Sequence, residues 1–194
     1  MTKILVCGSF HSGSERILRL LIHIFKQNHI PLNVIQDYQQ NVDSNKLDDD
    51  TDTSQTTIVV CHNFWEIYEK LKVFDHIILC IRDCRSICKS MLEMIKVCEQ
   101  IQCWSIFSKL VLKYEMYGPS QVADIVTLLS LSFSYGEIIS LVEKVRIIGI
   151  PKNPFQWNDY QIKHTFLVNK FLEDHEYYAP EMKEKPLQHS VSWS

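Results

Sequence analysis

The chain has 194 residues, of which 46% are hydrophobic and 22% charged, with a formal net charge of −3. That is ordinary for a soluble globular protein and enough for one α/β domain with a sizeable core. The slightly acidic balance excludes a general affinity for nucleic acid or acidic membranes, so an anion site must rely on local charge and backbone amides.

The first predicted element is a short strand, Ile4 to Cys7, apolar without alternation as a strand covered on both faces should be. A glycine-bracketed loop follows. Then Ile17, Leu20, Leu21, Ile24 and Phe25 recur at helical spacing and define one core-facing stripe. Asn28 and Pro31 end that helix, and Leu32 to Ile35 reads as a second strand. Gln39 to Thr56 is polar, acidic and almost without apolar anchors, which predicts a loop or flexible insertion within a single domain spanning 1–194. The run Asp48-Asp49-Asp50 with Asp52 has neither the spacing nor the glycine turn of a calcium loop, so it reads as solvated.

Thr57 to Cys61 is a β-branched strand ending at His62, followed by a short helix from Trp65 to Lys72. His76 to Ile81 is the clearest strand and runs into Arg82-Asp83. Ile87, Met91, Met94, Ile95 and Cys98 then keep helical spacing. Helical stretches are expected over Ile101 to Tyr117 and Pro119 to Leu129, parted by Gly118-Pro119 with proline at a permitted helix start. Leu129 to Tyr135 alternates apolar residues with serine and is expected to be the last strand. Glu137 to Ile148 returns to helix, Gly149 to Pro154 is a turn, Tyr160 to Leu172 is a further amphipathic helix, and Tyr177 to Ser194 is an irregular tail. Strands alternating with helices predict a three-layer α/β/α arrangement around a central parallel sheet.

Seven cysteines without a CxxC pair, three of them in apolar strand-like runs (Cys7, Cys61, Cys80), fit a reducing compartment better than disulfides or zinc. The chain begins almost directly on its first strand, leaving no room for a signal peptide. Its longest uncharged apolar stretch is too short and serine-rich to span a bilayer. The expectation is a cytoplasmic protein.

The chemistry gathers around Gly8-Ser9-Phe10-His11-Ser12-Gly13-Ser14-Glu15. Four residues separate the two glycines, the spacing of a phosphate-cradling loop whose amides and following helix converge on an anion. A nucleotide-hydrolysing loop needs Lys and then Ser/Thr directly after the second glycine. Ser14 and Glu15 stand there instead, which disfavours ordinary ATP chemistry and leaves a ligand-free βα turn as the plain alternative. Ligands of doubly wound sheets collect beyond the carboxyl ends of the strands. Three strands here end in polar residues suited to one anion: the glycine loop, His62 and Arg82.

With these residues in view, the chain resembles the sulfotransferases that use 3′-phosphoadenosine-5′-phosphosulfate (PAPS). Their first loop, Pro-Lys-Ser-Gly-Thr-Thr, is matched by Phe10-His11-Ser12-Gly13-Ser14-Glu15. Their strand ending in Lys-Thr-His-Leu-Pro is matched by Val60-Cys61-His62-Asn63-Phe64, and their Arg-Asp-Pro-Arg-Asp signature with its following Ser by Arg82-Asp83-Cys84-Arg85-Ser86 and Ser90. The resemblance covers Lys3 to Ser90 well and the remainder loosely, with Tyr135-Gly136-Glu137-Ile138 as a candidate for the family's Tyr-Glu-Asp-Leu segment. No counterpart of the family's C-terminal Arg-Lys-Gly loop is evident.

The resemblance implies a P-loop-like, sulfotransferase-type fold and a PAPS donor, leaving as 3′-phosphoadenosine-5′-phosphate (PAP), with no metal. It implies donor-binding roles for His11, Ser12, Gly13, Ser14, Glu15, Arg82 and Ser90. His62 becomes the catalytic base, and His11 replaces the loop Lys/Arg that stabilises the leaving oxygen. Arg16 and Arg19 could add positive charge near the loop, although both read as solvated helix-face arginines. Partners are an anionic nucleotide and an acceptor hydroxyl or amine, without nucleic acid or a membrane span. Two other readings stay open: a donor-binding or scaffold protein without turnover, and a divergent nucleotide or nucleoside kinase.

Overall fold

The computed structural model describes residues 2–38, 47, 55–145, 162 and 165–177. Its centre is a five-stranded sheet in the order β2-β3-β1-β4-β5, every neighbouring pair parallel. The strands are β1 (Lys3–Cys7), β2 (Leu32–Ile35), β3 (Thr56–Cys61), β4 (His76–Ile81) and β5 (Leu110–Lys113). The helices are α1 (Ser14–Gln27), α2 (Phe64–Ile67), α3 (Cys84–Ile87), α4 (Met91–Ser105), α5 (Pro119–Leu128), α6 (Tyr135–Lys144) and α7 (Phe166–Asp174).

Alternation along β1 explains the layering. Ile4 and Val6 point into a core built with Leu20, Leu21 and Ile24 of α1, Ile125 of α5 and Leu141 of α6. Leu5 and Cys7 point the other way, into a core of Phe64, Met94, Trp104 and Phe171 from α2, α4 and α7. Both faces of the central strands are therefore dry, which is why they carry unbroken apolar runs.

Four sequence expectations need correction. Residues Ile101 to Tyr117 are not one helix: α4 ends at Ser105, and Leu110–Lys113 forms the edge strand β5, continued by a 3₁₀ turn at Tyr114–Met116. Successive side chains face opposite sides, leaving Leu112 buried and Val111 exposed at the sheet's edge. Leu129 to Tyr135 is not a strand. Ser130 turns with φ 56°, and Ser134 closes a reciprocal capping box with Glu137 that starts α6 at Tyr135. Ile87 belongs to the single turn α3 rather than to α4, whose own N-cap is Ser90. The helix expected over Trp65 to Lys72 is split between α2 and a 3₁₀ turn, Tyr68–Val73.

The acidic run at Asp48 to Asp52, the turn at Gly149 to Pro154 and the tail beyond Tyr177 lie outside the described residues. All seven cysteines carry free thiols. Burial pushes those of Cys61 and Cys80 up to about 12, so they act as small core hydrophobes. Among the described residues, no helix is long and apolar enough to cross a membrane.

Candidate anion and proton-transfer site

Strand register alone assembles the site. Cys7 lies opposite Cys61, so the residues that follow them, Gly8 and His62, emerge side by side. Ile81 lies opposite Lys113, so Arg82 emerges beside Tyr114. All four leave the same carboxyl edge, around the point where connections from β1 diverge to either side.

The loop from Gly8 is shaped by contact. Gly8 has φ 145°, and a Cβ there would lie 2.3 Å from the Cys80 carbonyl oxygen and 2.6 Å from Ser12 Oγ. Gly13 has φ 101°, with the Tyr114 ring 2.7 Å from where its Cβ would sit. Only glycine tolerates both demands. The Ser12 amide donates to the Ser9 carbonyl at 3.1 Å, closing the turn. Gly13 then occupies the N-cap of α1 without any side chain capping the helix. The first-turn amides are left for an outside acceptor, at the positive end of a 14-residue helix.

Two arginines frame that opening. Arg82 is 5% exposed, donates from Nη1 to the His11 carbonyl at 3.3 Å, and lies 4.3 Å from the centre of the Tyr114 ring. Arg16 is 7% exposed, lies 4.1 Å from the same ring centre and 4.7 Å from that of Tyr117, and reaches the Tyr114 carbonyl at 3.5 Å. Neither guanidinium has a carboxylate partner among the described residues. Magnitudes decide what this means. A buried charge without a counter-ion costs several kcal/mol, whereas a cation–π contact returns about 0.5–2 kcal/mol. Stacking on tyrosine cannot offset two such charges; an oxyanion can.

Glu15 does not obstruct the opening. Its carboxylate pairs with Arg19 one helical turn on, and both side chains are more than half exposed on the outer face of α1. Arg19 is thus the solvated arginine the sequence suggested, whereas Arg16 is buried. The missed signal was its spacing, since Arg16, Leu20 and Ile24 share one stripe.

On the other side of β1 the surroundings differ. Nδ1 of His62 lies 3.0 Å from the Gly8 carbonyl oxygen, an acceptor only, so this nitrogen carries the proton. Nε2 lies 3.4 Å from Asp37 Oδ1, and the exposed Phe10 ring packs on the imidazole with centres 4.3 Å apart. Asp37 sits in a left-handed turn at φ 53°, two residues past β2, where no sequence signal marked it.

The remaining candidates fall as follows. Ser12 is buried in the loop and Ser14 at the first position of α1, and His11 is exposed at the loop's bend with φ 65°. The Ser90 hydroxyl oxygen accepts the Glu93 amide at 3.2 Å as the α4 cap; among the described residues no hydrogen bond joins it to Arg82. Tyr135, proposed for the family's Tyr-Glu segment, is 72% exposed at the start of α6. The Tyr-Glu pair at the site is Tyr114-Glu115. There Glu115 accepts the Asp83 amide at 3.1 Å and the Tyr177 hydroxyl at 3.0 Å. Arg85 forms a two-pronged ion pair with Asp83 and also donates to the Tyr177 carbonyl at 2.8 Å. These contacts brace the segment behind Arg82.

This edge and this strand order define a sulfotransferase-like α/β fold. A solved structure sharing it is mouse sulfotransferase SULT7A1, complexed with PAP, with a TM-score of 0.53 at 10% sequence identity. The match covers 94% of this chain and 80% of that one. No sequence-family model matches the chain, and the search of curated proteins gives no match.

Proposed function

We propose that this chain binds PAPS at the carboxyl edge of its sheet and transfers the sulfuryl group to a hydroxyl or amine acceptor presented to His62. The observation that carries the proposal is the pair of buried arginines, without carboxylates, flanking an uncapped helix start. The PAP complex of the structural neighbour supports the choice of nucleotide.

The residues present fit an anionic donor. The α1 amides from Gly13 to Arg16 and the Ser12 and Ser14 hydroxyls would hold its 5′ end. Arg82 and the Ser90 hydroxyl, which keeps its proton while its oxygen caps α4, would hold the 3′-phosphate. When bound, the donor supplies an activated sulfur: a bond forms from sulfur to the acceptor atom, and the bond from sulfur to the bridging oxygen breaks.

The protein's part is alignment, charge stabilisation and one proton. His62 holds its Nδ1 proton against Gly8, so the lone pair is on Nε2, where the acceptor's proton is taken up. Asp37 then lies in position to pair with the imidazolium. His11, at the bend of the loop, would donate toward the departing oxygen. Ser14 and Glu15 still stand where a kinase needs Lys and Ser/Thr, so nucleotide phosphorylation is the reading this site supports least.

The test is sulfate transfer from labelled PAPS to a panel of phenols, alcohols and amines, with wild type and His62→Ala compared. Labelled product from wild type alone supports the proposal. Binding of PAP without transfer by either protein reduces the chain to a donor-binding protein. No response to PAP at millimolar concentration overturns it.

A further inference from the structure

We infer that Arg16, with the hydroxyls of Ser12 and Tyr117, forms an oxyanion subsite on the β5 side of the α1 start, taking a phosphate- or sulfate-type group. This deepens the donor reading by adding Arg16 and Tyr117, to which the resemblance assigns no donor-binding role, and as a donor subsite it rests on that reading.

The basis is three donors with nothing to donate to. Ser12 Oγ, Arg16 Nε and the Tyr117 hydroxyl are all buried and have no hydrogen-bond partner among the described residues. Ser12 is 1% exposed and Arg16 7%. They line one crevice together with Gly13, Tyr114 and Gln121. Leaving even one such donor unpaired destabilises the fold, so three in one crevice point to an acceptor that comes from outside. Burial raises the Tyr117 hydroxyl to about 12 against the opposing effect of Arg16, so at neutral pH it keeps its proton and donates.

The surrounding charge agrees. Arg82 also lies over the Tyr114 ring, and Lys113, which lines the crevice as well, has its Nζ engaged by Glu176. Gln121, at the edge of the crevice, donates from Nε2 to the Lys113 carbonyl. The crevice as it stands has room for about one water, so a larger oxyanion enters by displacing the Tyr114 or Tyr117 ring outward. Arg16 then exchanges a tyrosine face for an anion. It thereby supplies charge on the helix side of a loop that lacks lysine.

The test uses the full chain and two probes, PAP and inorganic sulfate, the latter against chloride at matched ionic strength. Wild type, Arg16→Gln and Tyr117→Phe are compared by calorimetry and by thermal shift. The expected result is PAP binding weakened at least tenfold in Arg16→Gln and about threefold in Tyr117→Phe, with the sulfate-specific stabilisation of wild type lost in Arg16→Gln. If Arg16→Gln does not fold, Tyr117→Phe and Ser12→Ala, each removing one hydroxyl, carry the decision. Wild-type PAP affinity in these variants overturns the subsite while leaving the donor reading intact. Sulfate stabilisation that depends on Arg16, in a protein that ignores PAP, keeps the subsite as a free-anion site and removes the nucleotide.

Discussion

The two flanks of β1 end in opposite chemistry. Toward β4 and β5, two guanidiniums are buried against one tyrosine with no carboxylate paired to them among the described residues. Toward β3 and β2, a half-buried histidine is held by a backbone carbonyl and faces an exposed aspartate. The first flank is electrostatically incomplete and calls for a permanent anion. The second is complete without one, and it is where the proposal places proton transfer. A donor on one side and an acceptor on the other is the division of labour that group transfer needs, and a single glycine loop joins them.

Breaking the proton side should give the largest effect. His62→Ala is expected to lower sulfate transfer by about 10²–10⁴-fold while leaving PAP affinity within a few fold, read by single-turnover assay and calorimetry. Equal loss of both would place His62 in binding and erase the contrast between the flanks. Breaking the loop that joins them comes next. Gly8→Ala sets a Cβ against the Cys80 carbonyl at positive φ and is expected to cost about 2–4 kcal/mol, a drop in Tm of roughly 5–15 °C.

Much of this contrast is legible in the sequence. Buried strands announce themselves by unbroken apolar runs, and the placement of His62 and Arg82 at strand ends followed from four strands read correctly. Tyr114 was not visible. Its strand is four residues long at the sheet's edge, and the apolar residues before it, Ile106 and Phe107, continued a helical pattern past its true end. Arg16 was misjudged because arginine on an amphipathic helix is read as solvated, although its spacing put it on the buried stripe. Asp37 depends on a backbone turn in the left-handed region, which an aspartate only weakly signals.

On the anion side, Arg82→Gln removes a charge-assisted contact and is expected to weaken PAP binding by roughly 10–100-fold, with less salt dependence than wild type. An unchanged affinity would mean that Arg82 only braces the loop through His11. The smallest effect serves as a control away from both flanks. Ser134→Ala removes the α6 capping box and should cost about 1 kcal/mol, without altering PAP affinity. The Ser134 hydroxyl and amide hold Glu137 below the usual carboxylate range. The folded value is the depressed one, so the stabilisation is present above the unfolded pKa and fades as pH falls through the folded one. Wild type and Ser134→Ala should therefore converge in acid, as denaturation profiles at several pH values would show.

The central claim is that the carboxyl edge of this sheet is a binding site for a nucleotide phosphorylated at both ends of its ribose. Calorimetric titration of the full chain with PAP, and in parallel with AMP, which lacks the 3′-phosphate, tests it most directly. The account predicts saturable binding of PAP that weakens as salt is raised, and AMP binding at least tenfold weaker. Equal affinity for the two nucleotides, or no heat from either at millimolar concentration, would contradict it.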